Sequence, residues 1–497
     1  MLFNTLAFLF FYPAVVVCCF VLPPKRRWVW LLSASYAFYM TWQPGYVVLI
    51  IGSTLIDFVA GLVMGKYTHR SIRRCALSIS IVTNLSLLFF FKYWNFVATS
   101  LNNLFLGLEV TEASSAASFG TSGLPLSNYL LPVGISFYTF QSMSYTIDVY
   151  LRRTEVERHF GIFALYVSFF PQLVAGPIER SKNLLVQLRG QFAFDYSRMT
   201  SGLQLMAWGM FKKVVIADRL AVAVDMVYSN VPAYTGPTFV IATVLFAYQI
   251  YCDFSGYTDI AIGGARVLGV DLTKNFNLPY HARSIPEFWR RWHISLSTWF
   301  RDYVYVPLGG NRAGHNRWLF NLFITMLISG LWHGANWTFL LWGALHGTYM
   351  LASIMTQSVR THLTKTFRLD RSIWFGQLQV VLTFSLVCFS WIFFRANSIG
   401  DAWFVVTHLT TGWSDILTGE DFLSSVLGLG LNLPEMLFAI GLIIFLELTQ
   451  TLHDKGVRIA YLTQWPTVLR WPIYYLLVLL VFLLGVFGTD EFIYFQF

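Results

Sequence analysis

The sequence predicts an all-α integral membrane protein of about eleven transmembrane helices, supplemented by re-entrant and amphipathic helices. Three observations carry this expectation. Hydrophobic residues make up 56% of the 497 residues and charged residues 12%, roughly half the charged share of a soluble domain. A water-solvated core stops growing at about 250–300 residues, so a chain this long and this apolar needs lipid as its solvent. The aromatic share of 18%, with 46 Phe, 25 Tyr and 18 Trp, suits a membrane body with interfacial belts.

Taken in order, apolar stretches able to cross about 30 Å of hydrocarbon occur near 3–22, 28–42, 46–65, 76–98, 128–150, 236–252, 318–335, 337–356, 373–394, 433–450 and 472–488. In the first, the positive charges Lys25, Arg26 and Arg27 follow the apolar run and no small-residue cleavage motif closes it. It is therefore expected to be a retained transmembrane helix rather than a signal peptide. A further run, 161–178, contains Pro171 and Pro177 and has basic residues on both flanks, Arg152, Arg153 and Arg158 before it and Arg180 and Lys182 after it. That pattern predicts a segment that enters and leaves on one face. The expected organisation is a single polytopic membrane domain over 1–497, with peripheral helices in 1–127, a core in 128–400, and C-terminal helices and a tail in 401–497.

Charge supplies orientation. The net charge is +9, and in a membrane protein such an excess marks cytoplasmic loops rather than a nucleic-acid surface, so no nucleic-acid partner is expected. Lys and Arg cluster after the first span, between Lys66 and Arg74, and over 152–158, whereas the Gln43-Pro44-Gly45 turn and the Ser/Thr/Gly/Ala-rich stretch 102–124 carry none. The N-terminus and the loop 102–124 are thereby expected outside the cytoplasm. Lys455, Arg458 and Arg470 precede the last span while Asp490 and Glu491 follow it, which places the C-terminal tail outside too. Cys18, Cys19, Cys75, Cys252 and Cys388 form no CxxC pair, and neither a disulfide framework nor a metal site is expected.

Chemistry is expected where polarity enters the apolar body. Lys92, near the end of the fourth span, reads most simply as a lysine snorkelling to the interface. Asp57 and Glu447 lie within apolar helices, where a carboxylate is costly, and read as buried helix-to-helix hydrogen bonds. Polar groups concentrate in LPVGISFYTFQSMSYTIDVY (131–150), FFPQLVAGPIER (169–180), YQIYCDFSGYTDIAIGGARVLG (248–269) and NFNLPYHARSIPEFWRRWHISLSTWFRDYVYVPLGGNR (275–312). Such groups at membrane depth imply a water-filled cavity or a protein interior.

Histidines stand out among them. His333, between Trp332 and Gly334 in an apolar helix, is either a proton acceptor held neutral by its surroundings or a histidine satisfied by neighbouring carbonyls. His293 lies in a segment dense in Arg290, Arg291 and Arg301. The segment reads as amphipathic, with Trp289, Trp292, Trp299 and Phe300 at the interface and the arginines facing phosphates or forming a positive flank. His346, 13 residues after His333, falls on roughly the opposite face of a continuous helix and is the weaker candidate. No G-x-S-x-G, G-x-G-x-x-G, Walker or H-E-x-x-H motif is present, so general-base assistance to an incoming hydroxyl fits better than a catalytic triad. A transporter of lipid-linked sugars is the alternative from another class.

On these motifs, together with SGLWHGANWTFLLWGALHG, WIFFRA (391–396) and the terminal FIYFQF, the sequence resembles the membrane-bound O-acyltransferase family. Within that family it is similar to the bacterial branch that includes alginate O-acetyltransferases. The resemblance implies a ring of tilted helices around a central tunnel, with His333 of SGLWHG as catalytic base and His293 of RRWHISLS as a second active-site group. It further implies a thioester donor, acetyl-CoA or an acyl carrier, whose CoA phosphates Arg290 and Arg291 would meet, and no permanently bound cofactor. The implied acceptor is an extracytoplasmic glycan such as alginate, with peptidoglycan, cellulose and D-alanyl transfer as alternatives. Implied partners are an extracytoplasmic SGNH-hydrolase-like acetyltransferase and the polysaccharide synthesis and export machinery, in the bacterial cytoplasmic membrane. Tyr494 in the terminal motif is either a covalent acyl relay to that partner or an interfacial aromatic anchor.

Overall fold

The computed structural model describes all residues except 107–122, 175, 191–192, 313, 415–428, 455–464, 488–492 and 494–497. Every regular element among the described residues is helical. Among the described residues, six helices are long and apolar enough to cross a membrane: Pro44–Lys66, Arg70–Phe105, Gly236–Val267, Ile373–Arg395, Leu433–Leu452 and Thr467–Leu484. The other expected spans are helices as well, shorter or more polar: Leu6–Val21, Arg27–Met40, Ile135–Tyr150, His315–His333 and Trp337–Met355. Most of the expected outer loop 102–124 lies outside the described residues.

The chain groups into two compact units. The first comprises Phe10–Ala193 and Trp332–Asn336, with Met1. Part of its polarity is internal. Helix Ile135–Tyr150 buries Ser136, Thr139, Gln141, Ser142, Ser144, Thr146 and Asp148 along with its aromatic residues, as a helix enclosed by protein rather than lipid can. Asp57, fully buried, accepts from Ser80 Oγ at 2.6 Å and from Asn84 Nδ2 at 2.9 and 3.0 Å. This cross-links helix Val47–Lys66 to helix Arg70–Leu88, the helix-to-helix hydrogen bond that a carboxylate in an apolar span calls for. The run 161–178 is a broken helix. Phe160–Ser168 ends before Phe169, and Phe170–Leu173 restarts with Pro171 in its first turn, where a missing N–H costs nothing.

The second unit comprises Leu2–Leu9, Phe194–Leu331 and Trp337–Phe497. Helix Gly236–Val267 continues 15 residues beyond the apolar stretch that predicts it, because the polar residues after Tyr251 are buried against protein. Glycines allow helix Tyr196–Met210 to approach it closely: a Cβ on Gly263 would stand 2.5 Å from Gly202 O, and one on Gly209 2.5 Å from Gly256 O. Pairs of small residues at matching positions are how helices pack without a hydrophobic driving force in lipid. Glu447, within Leu433–Asp454, pairs with His281 Nε2 on the short turn Pro279–His281 at 2.6 Å, and also hydrogen-bonds with Tyr248 of helix Gly236–Val267.

Candidate active site

His333 is the last residue of helix His315–His333 and is 3% exposed. The helix stops there, and the next begins at Trp337. Its ring stands edge-on to that of Trp332, centroids 5.0 Å apart. Trp332 is in turn stacked on Phe140 at 5.5 Å and meets Phe137 edge-on at 5.3 Å. The imidazole thus sits on an aromatic shelf built by the polar-cored helix Ile135–Tyr150, within the first unit. Such a site excludes bulk water, which strengthens the electrostatic interactions within it.

Lys92 departs from its expected role. Its Nζ donates to the carbonyl oxygens of Trp332 at 2.8 Å and His333 at 2.9 Å, and it stands 5.9 Å from the centre of the Trp332 ring. It does not snorkel: the open carbonyls at a helix C-terminus, with their partial negative charge, are the stronger partner for a lysine at this depth. Lys92 lies in a π-helical segment, Phe89–Tyr93, a distortion often found at functional positions. In the same unit, Arg73 donates from Nη2 to Tyr150 O at 2.7 Å and Val149 O at 3.1 Å, closing another helix end in the same way.

His293 groups with the second unit, fully buried, its ring edge-on to Phe254 at 4.7 Å. It caps helix Ile294–Phe300 with φ +42° and ψ +56°, a left-handed conformation that a non-glycine residue adopts only when its surroundings impose it. Asn275 imposes it here: Asn275 O accepts from Ile294 N at 2.9 Å, and its Oδ1 accepts from Ser295 Oγ at 2.6 Å. The amphipathic interface expected of this segment is overturned for three of its aromatics. Trp292, Trp299 and Phe300 are between 1% and 4% exposed, and Trp292 packs against Phe276, Phe288 and Trp391. Arg291 is engaged by Glu287 Oε1 at 2.8 Å and by Asn277 O at 3.3 Å, while Arg290 is exposed.

The comparison of His333 with His346 on one helical wheel fails because the helix breaks at residues 334–336. His346 lies on the following helix with both ring nitrogens occupied. Trp289 Nε1 donates to Nδ1 at 3.3 Å, and Nε2 is 2.9 Å from Ser390 Oγ. Since the Ser390 hydroxyl donates to Val387 O at 2.7 Å, the network assigns the proton to Nε2. His346 is a structural histidine.

Sequence reasoning passed over Lys212 and Lys213. Both lie in the π-helical segment Phe211–Ala217, and both are buried. Lys213 pairs with Asp218 at 2.8 Å and Asp253 at 2.7 Å, and Lys212 with Asp259 at 2.8 Å. The available signal was two lysines inside an apolar run, with the carboxylates of YCDFSGYTD to match them. Asp253 Oδ2 also accepts from the main-chain N–H of Ile493 at 2.8 Å, while Val486 N donates to Val214 O at 2.9 Å and Arg219 Nη2 to Leu484 O at 2.7 Å. The segment leading into the terminal motif is therefore docked on this unit. Tyr494 itself lies outside the described residues.

A model of the membrane-bound O-acyltransferase family matches residues 157–396. The probable alginate O-acetylase of Azotobacter vinelandii is 39% identical over 407 residues, covering 81% of this chain and 77% of the relative. The peptidoglycan O-acetyltransferase of Helicobacter pylori is 33% identical over 435 residues, covering 81% and 78%. The teichoic acid D-alanyltransferase of Bacillus subtilis is 26% identical over 290 residues, covering 55% and 71%.

Proposed function

The chain belongs to the membrane-bound O-acyltransferase family, and from that premise we propose that it carries an acetyl group from cytoplasmic acetyl-CoA across the membrane to hydroxyls of an extracytoplasmic polysaccharide such as alginate. It is an acyltransferase and a multi-pass membrane protein. Its acyl donor is a substrate rather than a resident cofactor. The observation that carries the reading is His333, a histidine 3% exposed at the end of an apolar helix, in a chain 39% identical to a probable alginate O-acetylase.

In this reading the neutral imidazole of His333 takes the proton of the attacking hydroxyl as its oxygen bonds to the thioester carbonyl carbon. The C–S bond then breaks, and the thiolate leaves with the proton returned by the imidazolium. His293 stabilises the oxyanion or orients the base, and exposed Arg290 meets CoA phosphates at the cytoplasmic face, with Arg291 a secondary contributor because Glu287 already holds it. Tyr494 accepts the acetyl group on its phenolic oxygen and presents it to an extracytoplasmic SGNH-hydrolase-like transferase working with the polysaccharide synthesis and export machinery of the bacterial cytoplasmic membrane. Phenolate, with a pKa of about 10, is a better leaving group than an alkoxide, so the ester remains an activated donor. The similarity to a peptidoglycan O-acetyltransferase favours peptidoglycan as the second choice of acceptor.

His333→Ala is expected to abolish polymer acetylation while the protein stays at normal abundance in the membrane; normal product from that variant contradicts the assignment. Tyr494→Phe keeps the packing and removes the nucleophile, and polymer acetylation at the wild-type level in that variant excludes the relay. Acetyl content measured glycan by glycan in a strain lacking the gene identifies the acceptor.

A further inference from the structure

We infer that Lys92 is the positioning residue of the His333 base, an inference that rests on the reading of His333 given above. Lys92 and His333 are 241 positions apart in sequence, yet the lysine Nζ lies 2.8 Å from Trp332 O and 2.9 Å from His333 O. Those two carbonyls end helix His315–His333, where the main chain has no further turn to supply hydrogen-bond donors. A cation at that end is favoured by the helix dipole, and a lysine at membrane depth is costly enough to be kept for a purpose.

The geometry says what the purpose is. His333 O belongs to the same residue as the imidazole, so holding that oxygen fixes the rotation about the bond joining its Cα to its carbonyl carbon and with it the direction of the Cα–Cβ bond. Trp332 is held by Lys92, which bonds its carbonyl and stands 5.9 Å from the centre of its ring, and by Phe137 and Phe140, whose rings pack against it. The histidine turn is thereby clamped by one donor and one aromatic shelf, at the point where the chain leaves its helix and has no ladder of its own. Lys92 itself lies in the π-helical turn Phe89–Tyr93, a distortion often found at functional positions. Lys92 acts through the main chain of His333, without touching substrate.

The test uses the full chain, purified and placed in lipid nanodiscs, with acetyl-CoA as donor, alginate oligosaccharides as acceptor and release of free thiol as the signal. Lys92→Met is expected to lower kcat about tenfold or more, because small misplacements of a catalytic group are expensive, with KM for acetyl-CoA unchanged. Lys92→Arg, whose guanidinium keeps the charge and offers several donors, is expected to recover kcat to within about threefold. A wild-type kcat in Lys92→Met, while His333→Ala is inactive, overturns the role of Lys92 and leaves His333 standing. An active His333→Ala overturns the reading of His333 as base, whatever Lys92 does. A fall in kcat that Arg does not recover, or one matched by a rise in KM, assigns Lys92 to packing and also overturns the inference. Should Lys92→Met fail to accumulate, Lys92→Gln, which keeps an NH2 donor group but no charge, decides: a lowered kcat at unchanged KM supports the role and a wild-type kcat removes it. If the wild-type chain releases no thiol, the donor assignment fails, and the same variants are scored on the acetyl-ester content of the cell's exopolysaccharide.

Discussion

The main-chain N–H of Ile493 donates to Asp253 Oδ2 at 2.8 Å, across 240 positions of sequence. Asp253 is at the same time paired with Lys213 at 2.7 Å, and Lys213 with Asp218 at 2.8 Å. The C-terminal segment is thus tied to a buried ion cluster on helix Gly236–Val267, one residue before the tyrosine proposed as acyl carrier.

That cluster sets the first expectation. Lys213→Met leaves two buried carboxylates without their cation, and breaking a buried pair from one side costs about 3–5 kcal/mol. Unfolding titrated with SDS should show a loss of that order, and carboxypeptidase should trim the C-terminus faster than in wild type. Equal trimming in the two proteins would mean that the cluster does not hold the tail.

His346 should separate from His333 by assay. With both nitrogens satisfied by Trp289 and Ser390, His346→Ala removes two buried hydrogen bonds and is expected to cost about 1–3 kcal/mol of stability. The folded fraction should keep its kcat within a factor of about three. A loss of kcat as complete as that of His333→Ala would return His346 to the catalytic machinery.

Gly263→Ala tests the helix contact. The new Cβ would stand 2.5 Å from Gly202 O, main chain that cannot turn aside, and overpacking of this kind costs about 1–3 kcal/mol. Gly52→Ala is the control, since nothing lies within 4 Å of a Cβ there, and no loss is expected. Equal thermal midpoints for the two variants would refute the close approach.

The pair His281–Glu447 confers pH dependence. The hydrogen bond to Glu447 raises the pKa of His281 above its ordinary value. A histidine raised in this way stabilises the fold fully below its unfolded pKa, about 6.5, and the contribution is lost as pH rises through the higher folded value. The thermal midpoint of the wild type should therefore fall more steeply than that of His281→Gln as pH rises above about 6.5. Parallel profiles for the two proteins would exclude this pair as the source.

Legibility in the sequence followed the range of each interaction. Asp57 was readable as a buried hydrogen bond because a carboxylate in an apolar helix has few other options, although its partners Ser80 and Asn84, 23 and 27 positions away, were not. Lys92 was misread because a lysine near the end of a span looks the same whether its Nζ reaches lipid headgroups or the carbonyls of Trp332 and His333. Trp292 and Phe300 were misread as interfacial because aromatic residues among arginines form the same pattern in a membrane belt and in a core. The glycines at 202, 209, 256 and 263 lie on two helices, and only packing reveals that they meet.

The sequence alone determined the solvent and the helical class, because hydropathy and span length are local properties, and it singled out His333 as a candidate because an imidazole is rare in an apolar helix. Only the tertiary structure decided what holds that histidine, that His346 is structural, and that the C-terminal segment docks through Asp253. Each of these depends on hydrogen bonds between groups far apart in the chain, and their geometry exists only once the helices have packed.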